Sequence, residues 1–388
     1  MLPAAAPYDL AIVGASFAGL VAARTAAMRG LRVAVLDAKQ DAGHRVSTTG
    51  ILVKEAVEEV DIPHSLTRRV HGVRLYAPNL THVDLFAPGY FFLTTDTAAV
   101  LRWLAEEAQR AGAHLLWRSR FTGASRERDH FRFADLNICT RYILGADGAR
   151  SAVARHFGLG RNTHFLTGVE HEYDGLPEID SRFLHCFLNS DLAPGYLAWI
   201  APAPAVIQVG LAVGPAWRPD LGRFLNHADG IFHFSKARVV GRRAGRIPCG
   251  GLVRPWAGDG VMLVGDAAGM VSPATGGGIR LAFHFGRRAG QAIADYLLHM
   301  GPRPDVVLSS ELPGFLLKRA MRFGLDRHVP NALISAALGT STARALAQQI
   351  FFHKRGAKGV TFSEFESRLA TLATSIASGP DALAKQDK

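Results

Sequence analysis

The sequence predicts an α/β chain, α+β overall: a Rossmann-like nucleotide-binding domain, an inserted antiparallel-sheet domain and a C-terminal helical region. Three observations predict it. The stretch "YDLAIVGASFAGLVAARTAAMRGLRVAVLD" (8–37) reads as strand, glycine-rich turn, helix and strand. Two later stretches, "YILGADG" (142–148) and "VMLVGDAAG" (261–269), are apolar runs that end in glycine and aspartate. Between them lie short segments rich in β-formers and broken by Gly and Pro, the pattern of an antiparallel sheet.

The first element is a strand over residues 9–13, a short apolar run after Asp9, as a strand buried on both faces should be. Gly14, Ser16 and Gly19 occupy the positions of a G-x-G-x-x-G turn, with serine in the middle and Phe17 and Ala18 completing it. Gly14 permits the sharp turn, Ser16 is small enough for a pyrophosphate to approach, and Gly19 lets helix and strand pack closely. The helix runs to about Arg29, where Gly30 can end it. Its N-terminus offers unpaired N–H groups to phosphates. The second strand ends on Asp37, placed to accept hydrogen bonds from ribose hydroxyls. This unit predicts dinucleotide binding without separating NAD from FAD. Arg45 follows the second strand in a Gly-His-Arg turn.

The middle strand ends at Asp147-Gly148 and leads into a helix start containing Ser151 and Arg155. The last ends at Gly265-Asp266 and leads into "SPATGGGI" (272–279). An acid at a strand end can meet a chain of hydroxyls, and a glycine-rich turn at a helix start can set N–H groups against a polar ring edge.

With its three motifs in this order, the sequence resembles the superfamily of FAD-dependent oxidoreductases that share the p-hydroxybenzoate hydroxylase fold. The resemblance spans residues 9 to about 295. It implies FAD, with Arg45 against its phosphates, Asp147, Gly265 and Asp266 at the ribityl chain and Pro273, Gly276, Gly277, Gly278 and Ile279 at the ring edge. Two stretches are similar to the geranylgeranyl reductases: 265–290, where a proline and a Gly-Gly-Ile element follow Gly-Asp, and "APGYLAWIAPAPAVIQVGLAVG" (193–214). The second matches an aromatic-Trp-Pro element that lines that family's substrate cavity, which implies substrate contact for Tyr196 or Trp199. Read as residues alone, it is two strands around a Pro/Ala turn, and a regular strand would turn Tyr196 and Trp199 to opposite faces.

There are departures from the family. Its cysteine-containing element falls on "HRVSTTGIL" (44–52), which has no cysteine. Ser47 stands near that place, and Ser47 and His44 are the catalytic candidates that remain. An arginine found in many members at a helix start falls on Thr97, which puts one FAD contact in doubt. The element at 193–214 also resembles one in flavin halogenases, but no counterpart of their catalytic lysine is found.

The FAD-binding domain is expected to be discontinuous, over 1–66, 94–160 and 248–300, with an amphipathic helix from 97 ending at Gly112. Residues 67–93 and 161–247 form the expected substrate-binding sheet domain, and 301–388 the helical region, frayed from about 376. Composition fits this: 388 residues, 48% hydrophobic and 20% charged, suit a globular chain with more than one domain. Cys139, Cys186 and Cys249 lie far apart, which speaks against a disulfide framework or a metal site and for a reducing, cytoplasmic setting. The apolar stretch 10–28 is interrupted by Arg24 and lacks a preceding basic region, so it is read neither as a signal peptide nor as a membrane span. The net charge of +11 comes without a nucleic-acid motif. Lys318, Arg319, Arg322, Arg327, Lys354, Arg355 and Lys358 lie among apolar residues, which suits peripheral contact with the inner face of a membrane.

The expected function is reduction of C=C bonds in an isoprenoid or other hydrophobic or amphiphilic small molecule by hydride from reduced flavin N5. With no second glycine motif, NAD(P)H is expected to bind transiently as reductant, or a protein to donate electrons. The alternative is an FAD-dependent monooxygenase, a hydroxylase or epoxidase acting through a flavin C4a-hydroperoxide. A flavin-binding scaffold without catalysis is the third class.

Overall fold

The computed structural model describes residues 7–176 and 179–352. In chain order its elements are β1 (Tyr8–Val13), α1 (Phe17–Met28), β2 (Val33–Leu36), β3 (Ile51–Val53), β4 (Thr67–Val70), β5 (Gly72–Tyr76), β6 (His82–Phe86), β7 (Phe92–Thr95) and α2 (Thr97–Arg110). There follow β8 (His114–Leu116), β9 (Ala124–Glu127), β10 (His130–Phe133), β11 (Cys139–Gly145), α3 (Ala152–His156), β12 (Phe165–Asp174), β13 (Phe183–Phe187), β14 (Ala198–Pro202), β15 (Ile207–Val213) and α4 (Leu221–Phe232). The chain continues through β16 (Arg238–Pro248), β17 (Ala257–Gly258), β18 (Val261–Leu263), α5 (Ile279–Leu297), α6 (Pro304–Ser309), α7 (Leu316–Leu325), α8 (Asn331–Leu338) and α9 (Ser341–Phe352).

The first sheet runs β17-β18-β11-β1-β2-β8, with β9 and β10 joined to β11 at one side. Its inner strands are parallel, and β2, β18 and β1 beyond Asp9 read as apolar runs because both faces are buried. On this sheet α1 is buried almost all round, which is why its sequence is alanine-rich with little amphipathic contrast. It packs against α5, and small residues set the distance. A Cβ added at Gly286 would lie 2.5 Å from the Ala18 carbonyl oxygen, and one at Gly290 would lie 2.7 Å from that of Ala22.

The second sheet runs β16-β12-β15-β14-β13-β5-β6, antiparallel except where β5 meets β13. The amphipathic α4 covers one face through Phe224, Ala228 and Phe232. That helix lies within the segment expected to be mostly sheet. The expected start of the sheet domain at 67 meets a different partner: β4 pairs with β7, and β3-β7-β4 forms a small sheet of its own. The C-terminal helices reach back over this region, where Leu338 and Phe352 are buried with Tyr90 and Phe92. Gln348 donates to the Phe86 carbonyl at 2.9 Å, covering an edge strand. The expected frayed tail, with Lys354, Arg355 and Lys358, lies outside the described residues. Among the described residues no helix is long and apolar enough to cross a membrane, and no cluster is placed to hold a metal ion.

Candidate active site

Parallel register builds the crevice. Val13 pairs with both Leu36 and Gly145, and Gly145 pairs with Leu263. The carboxyl ends of four strands therefore stop level, and Gly14, Asp37, Asp147 and Gly265-Asp266 follow them side by side. Ligands of open α/β sheets bind at this edge.

A cavity of about 850 Å³ opens there and extends to the second sheet. On the first-sheet side it is lined by Gly14, Ser16, Phe17, Ala18, Asp37, Arg45, Asp147, Gly265, Asp266 and the turn Thr275–Ile279. Gly14 turns with φ +109°, a conformation other residues rarely adopt. The starts of α1 and α5 face the cavity, and neither Ser16 nor Gly278 caps its helix with a side chain. In contrast α2, α3 and α4 close their own N-termini with Asp96, Ser151 and Asp220. Free N–H groups and two positive dipole ends thus point into one space. Arg45 borders it in a left-handed conformation, φ 49°.

The three acids differ. Asp37 accepts from the amides of Ala15 and Lys39, both at 2.8 Å, which holds it at the wall with lone pairs to spare. Asp147 accepts from Ser151 Oγ at 2.6 Å and from the amides of Ala152 and Val153. Both its oxygens serve the start of α3, and it also lines the cavity. Asp266 has no such partners, and burial pushes its pKa up to about 6.

The opposite wall is the second sheet, across which one row of paired residues runs. Arg243 pairs with Glu170, Glu170 with Gly210, Gly210 with Trp199, and Trp199 with Cys186. Arg243, Glu170, Trp199 and Cys186 line the cavity. Segment 47–50 lies against this row: Thr49 Oγ1 donates to Glu170 at 2.5 Å, Gln208 to the Thr49 carbonyl at 2.9 Å, and Arg243 to the Thr48 carbonyl at 2.8 Å. Beyond it the wall turns apolar, with Phe92, Leu184, Leu188, Leu197, Ile350 and Phe351.

The structure brings most of the anticipated residues to this cavity. Gly19, Pro273 and His44 are not among the residues that line it. Ser47 lines the cavity. Tyr196 and Trp199 do not diverge as expected. Tyr196 precedes β14 in a turn, which frees it from strand alternation, and both reach the cavity. Tyr196 donates to the Thr275 carbonyl at 2.5 Å, tying the second sheet to the glycine turn. Thr97 is fully buried and donates to the Thr49 carbonyl at 2.8 Å, so it props segment 47–50. Sequence reasoning missed Glu170, Arg243, Thr49 and Gln208. Their signal was Gly210 in β15 and Gly241 and Gly245 in β16, glycines that mark a close approach in mid-strand.

Comparison with known proteins agrees. Residues 7–228 match a family described as FAD binding domain. The digeranylgeranylglycerophospholipid reductase of Methanosarcina acetivorans is 31% identical over 305 residues, 74% of each chain. A geranylgeranyl bacteriochlorophyll reductase-like protein from Thermoplasma acidophilum has the same fold, with TM-score 0.77 and 21% identity over 94% of this chain and 99% of that one. The p-nitrophenol 4-monooxygenase of Pseudomonas putida shares it at TM-score 0.69 and 14% identity, over 91% and 99%. The ordered strand ends, the family match and the similarity over three quarters of the chain place this protein among the FAD-dependent oxidoreductases of the geranylgeranyl reductase family.

Proposed function

We propose that the protein reduces carbon–carbon double bonds in an isoprenoid chain or another hydrophobic, amphiphilic small molecule. One observation carries the reading: a single cavity joins the uncapped starts of α1 and α5 to an apolar wall. The residues fit FAD. The first amides of α1, with Arg45 beside them, suit its pyrophosphate; Asp37 suits the adenosine ribose; Asp266 suits the ribityl hydroxyls; and Gly276–Ile279 suit the polar edge of the ring. Bound FAD, once reduced by NAD(P)H or a protein donor, supplies hydride. The chain orients the alkene against Phe92, Leu184, Leu197 and Trp199 and keeps water away. The M. acetivorans relative is named for an isoprenoid lipid, which supports this substrate class.

The α7 region supports peripheral contact with an anionic bilayer. Leu316, Leu317 and Phe323 are exposed there beside Lys318, Arg319 and Arg327. The test of function is anaerobic. Protein reduced with dithionite is mixed under argon with a geranylgeranyl lipid, and flavin absorbance is followed. Recovery of oxidised flavin with saturation of the alkene is the expected result. Recovery with oxygen alone, accompanied by an oxygenated product, would instead make it a monooxygenase.

A further inference from the structure

We propose that the Glu170 carboxyl is the proton donor of this reduction. The inference rests on the reductase reading above and assigns the acid that such a reaction needs. One alkene carbon takes hydride from the reduced flavin and its neighbour takes the carboxyl proton. The π bond, the N5–H bond of the reduced flavin and the carboxyl O–H bond break, and two C–H bonds form. The alkene gains two electrons, the flavin loses two, and the carboxylate left behind is reprotonated from water.

The geometry narrows the choice. Asp37, Asp147 and Asp266 all follow strand ends of the first sheet, on the side that suits the cofactor. Tyr196 gives its proton to the Thr275 carbonyl. The Cys186 thiol is pushed up to about 12 by burial, too weak an acid for the task. Glu170 is 3% exposed and lines the cavity in the middle of β12. Its Oε2 accepts from Thr49 Oγ1 at 2.5 Å and from Trp199 Nε1 at 3.0 Å, while Oε1 has no hydrogen-bond partner. That leaves Oε1 as the oxygen to carry a proton.

Burial, rather than the surrounding charges, favours the protonated form. Arg243 bonds to Glu172 and to the Thr48 carbonyl, and its Nη1 stops 3.8 Å from Glu170 Oε1. Arg243 is therefore hydrogen-bonded to Glu172 and shared with Glu170 only at ion-pair distance, so Glu170 has part of one cation rather than a partner of its own. Burial raises its pKa above the ordinary carboxylate range, and the nearby Glu172 adds to this; Thr49, Arg243 and Trp199 act the other way. Those same three groups stabilise the carboxylate once the proton has left, which is what an acid of moderate strength requires.

Glu170→Gln keeps the size of the side chain and an oxygen for Thr49 and Trp199. Infrared spectra of the FAD-loaded resting protein should show the carbonyl stretch of a protonated acid near neutral pH, missing in E170Q. Reduced E170Q should transfer to a geranylgeranyl lipid about 10²–10⁴-fold more slowly, with flavin content and lipid Kd within about two-fold of wild type. Absence of the acid signal, or an unchanged transfer rate in E170Q, overturns the proposal while the reductase reading survives. A wild-type protein that reduces no prenyl alkene overturns both. If E170Q loses FAD, Trp199→Phe serves instead. It should keep the acid signal to higher pH and slow transfer; no change in either would overturn the assignment.

Discussion

Trp199 reaches across β15 to give its indole proton to Glu170 on β12, and it can do so because residue 210 between them has no side chain. A Cβ there would lie 2.5 Å from Trp199 Cζ2 and 2.7 Å from Cε2. Gly210→Ala should therefore push the indole off the strand and break its bond to Glu170. Overpacking of this kind costs about 1–3 kcal/mol. Denaturant unfolding and tryptophan fluorescence of the variant would show both effects, and a native spectrum with unchanged stability would contradict the packing described.

This row explains which parts of the molecule were legible in the sequence. Strand ends in the first sheet announce themselves locally, because a buried parallel strand is an apolar run and each turn needs its glycine or acid at the next position. Gly14, Asp37, Asp147 and Asp266 were found that way. Arg243 and Glu170 are far apart in the chain and meet only through the β12–β16 register, which shifts between Glu172 and Tyr173. Spacing within one segment cannot report that. The same limit applies to Thr97, whose hydroxyl matters through a carbonyl in a different segment.

Asp266 predicts a pH dependence in the FAD-free protein. Its folded pKa of about 6 stands above the ordinary 3.8, so the folded form holds the proton more tightly than the unfolded form. The stabilisation is fully present below pH 4 and is lost as pH rises toward 6. Two units correspond to about 3 kcal/mol, and water in the open cavity reduces this to on the order of 1–2 kcal/mol. Denaturation midpoints of wild type relative to Asp266→Asn should fall between pH 4.5 and 7. A constant difference between the two proteins would mean that the carboxyl is not desolvated. Asp266→Ala should also purify with markedly less flavin.

The spacing of α1 and α5 makes flavin content a readout of helix packing. Both helices open on the cavity, and Gly286 lies against the backbone of Ala18. Gly286→Ala forces the helices apart where each presents its N–H groups. The expected result is a stability loss of about 1–3 kcal/mol together with weaker FAD binding, measured by ultrafiltration of the holoprotein. Gly324→Ala is the control, since a Cβ at Gly324 on exposed α7 meets nothing within 4 Å, and it should retain flavin.

Arg322 is what holds α7 against the cavity end. It is 3% exposed, donates to the Gly195 carbonyl next to Tyr196, and approaches Asp326 Oδ1 at 3.0 Å. Asp326 in turn meets His164 Nε2 at 2.8 Å. Leu325, on the same helix, lines the cavity. Arg322→Met keeps the length of the side chain but leaves the Gly195 carbonyl and Asp326 short of a partner. Removing one member of a buried pair costs about 3–5 kcal/mol, chiefly through the charge left behind. Arg322→Met should lower the unfolding midpoint and open α7 to proteolysis, and Arg322→Met/Asp326→Asn should recover part of the loss. Recovery would show that the penalty lies in the stranded carboxylate. No recovery would place it in the Gly195 contact, and hence in the turn that positions Tyr196.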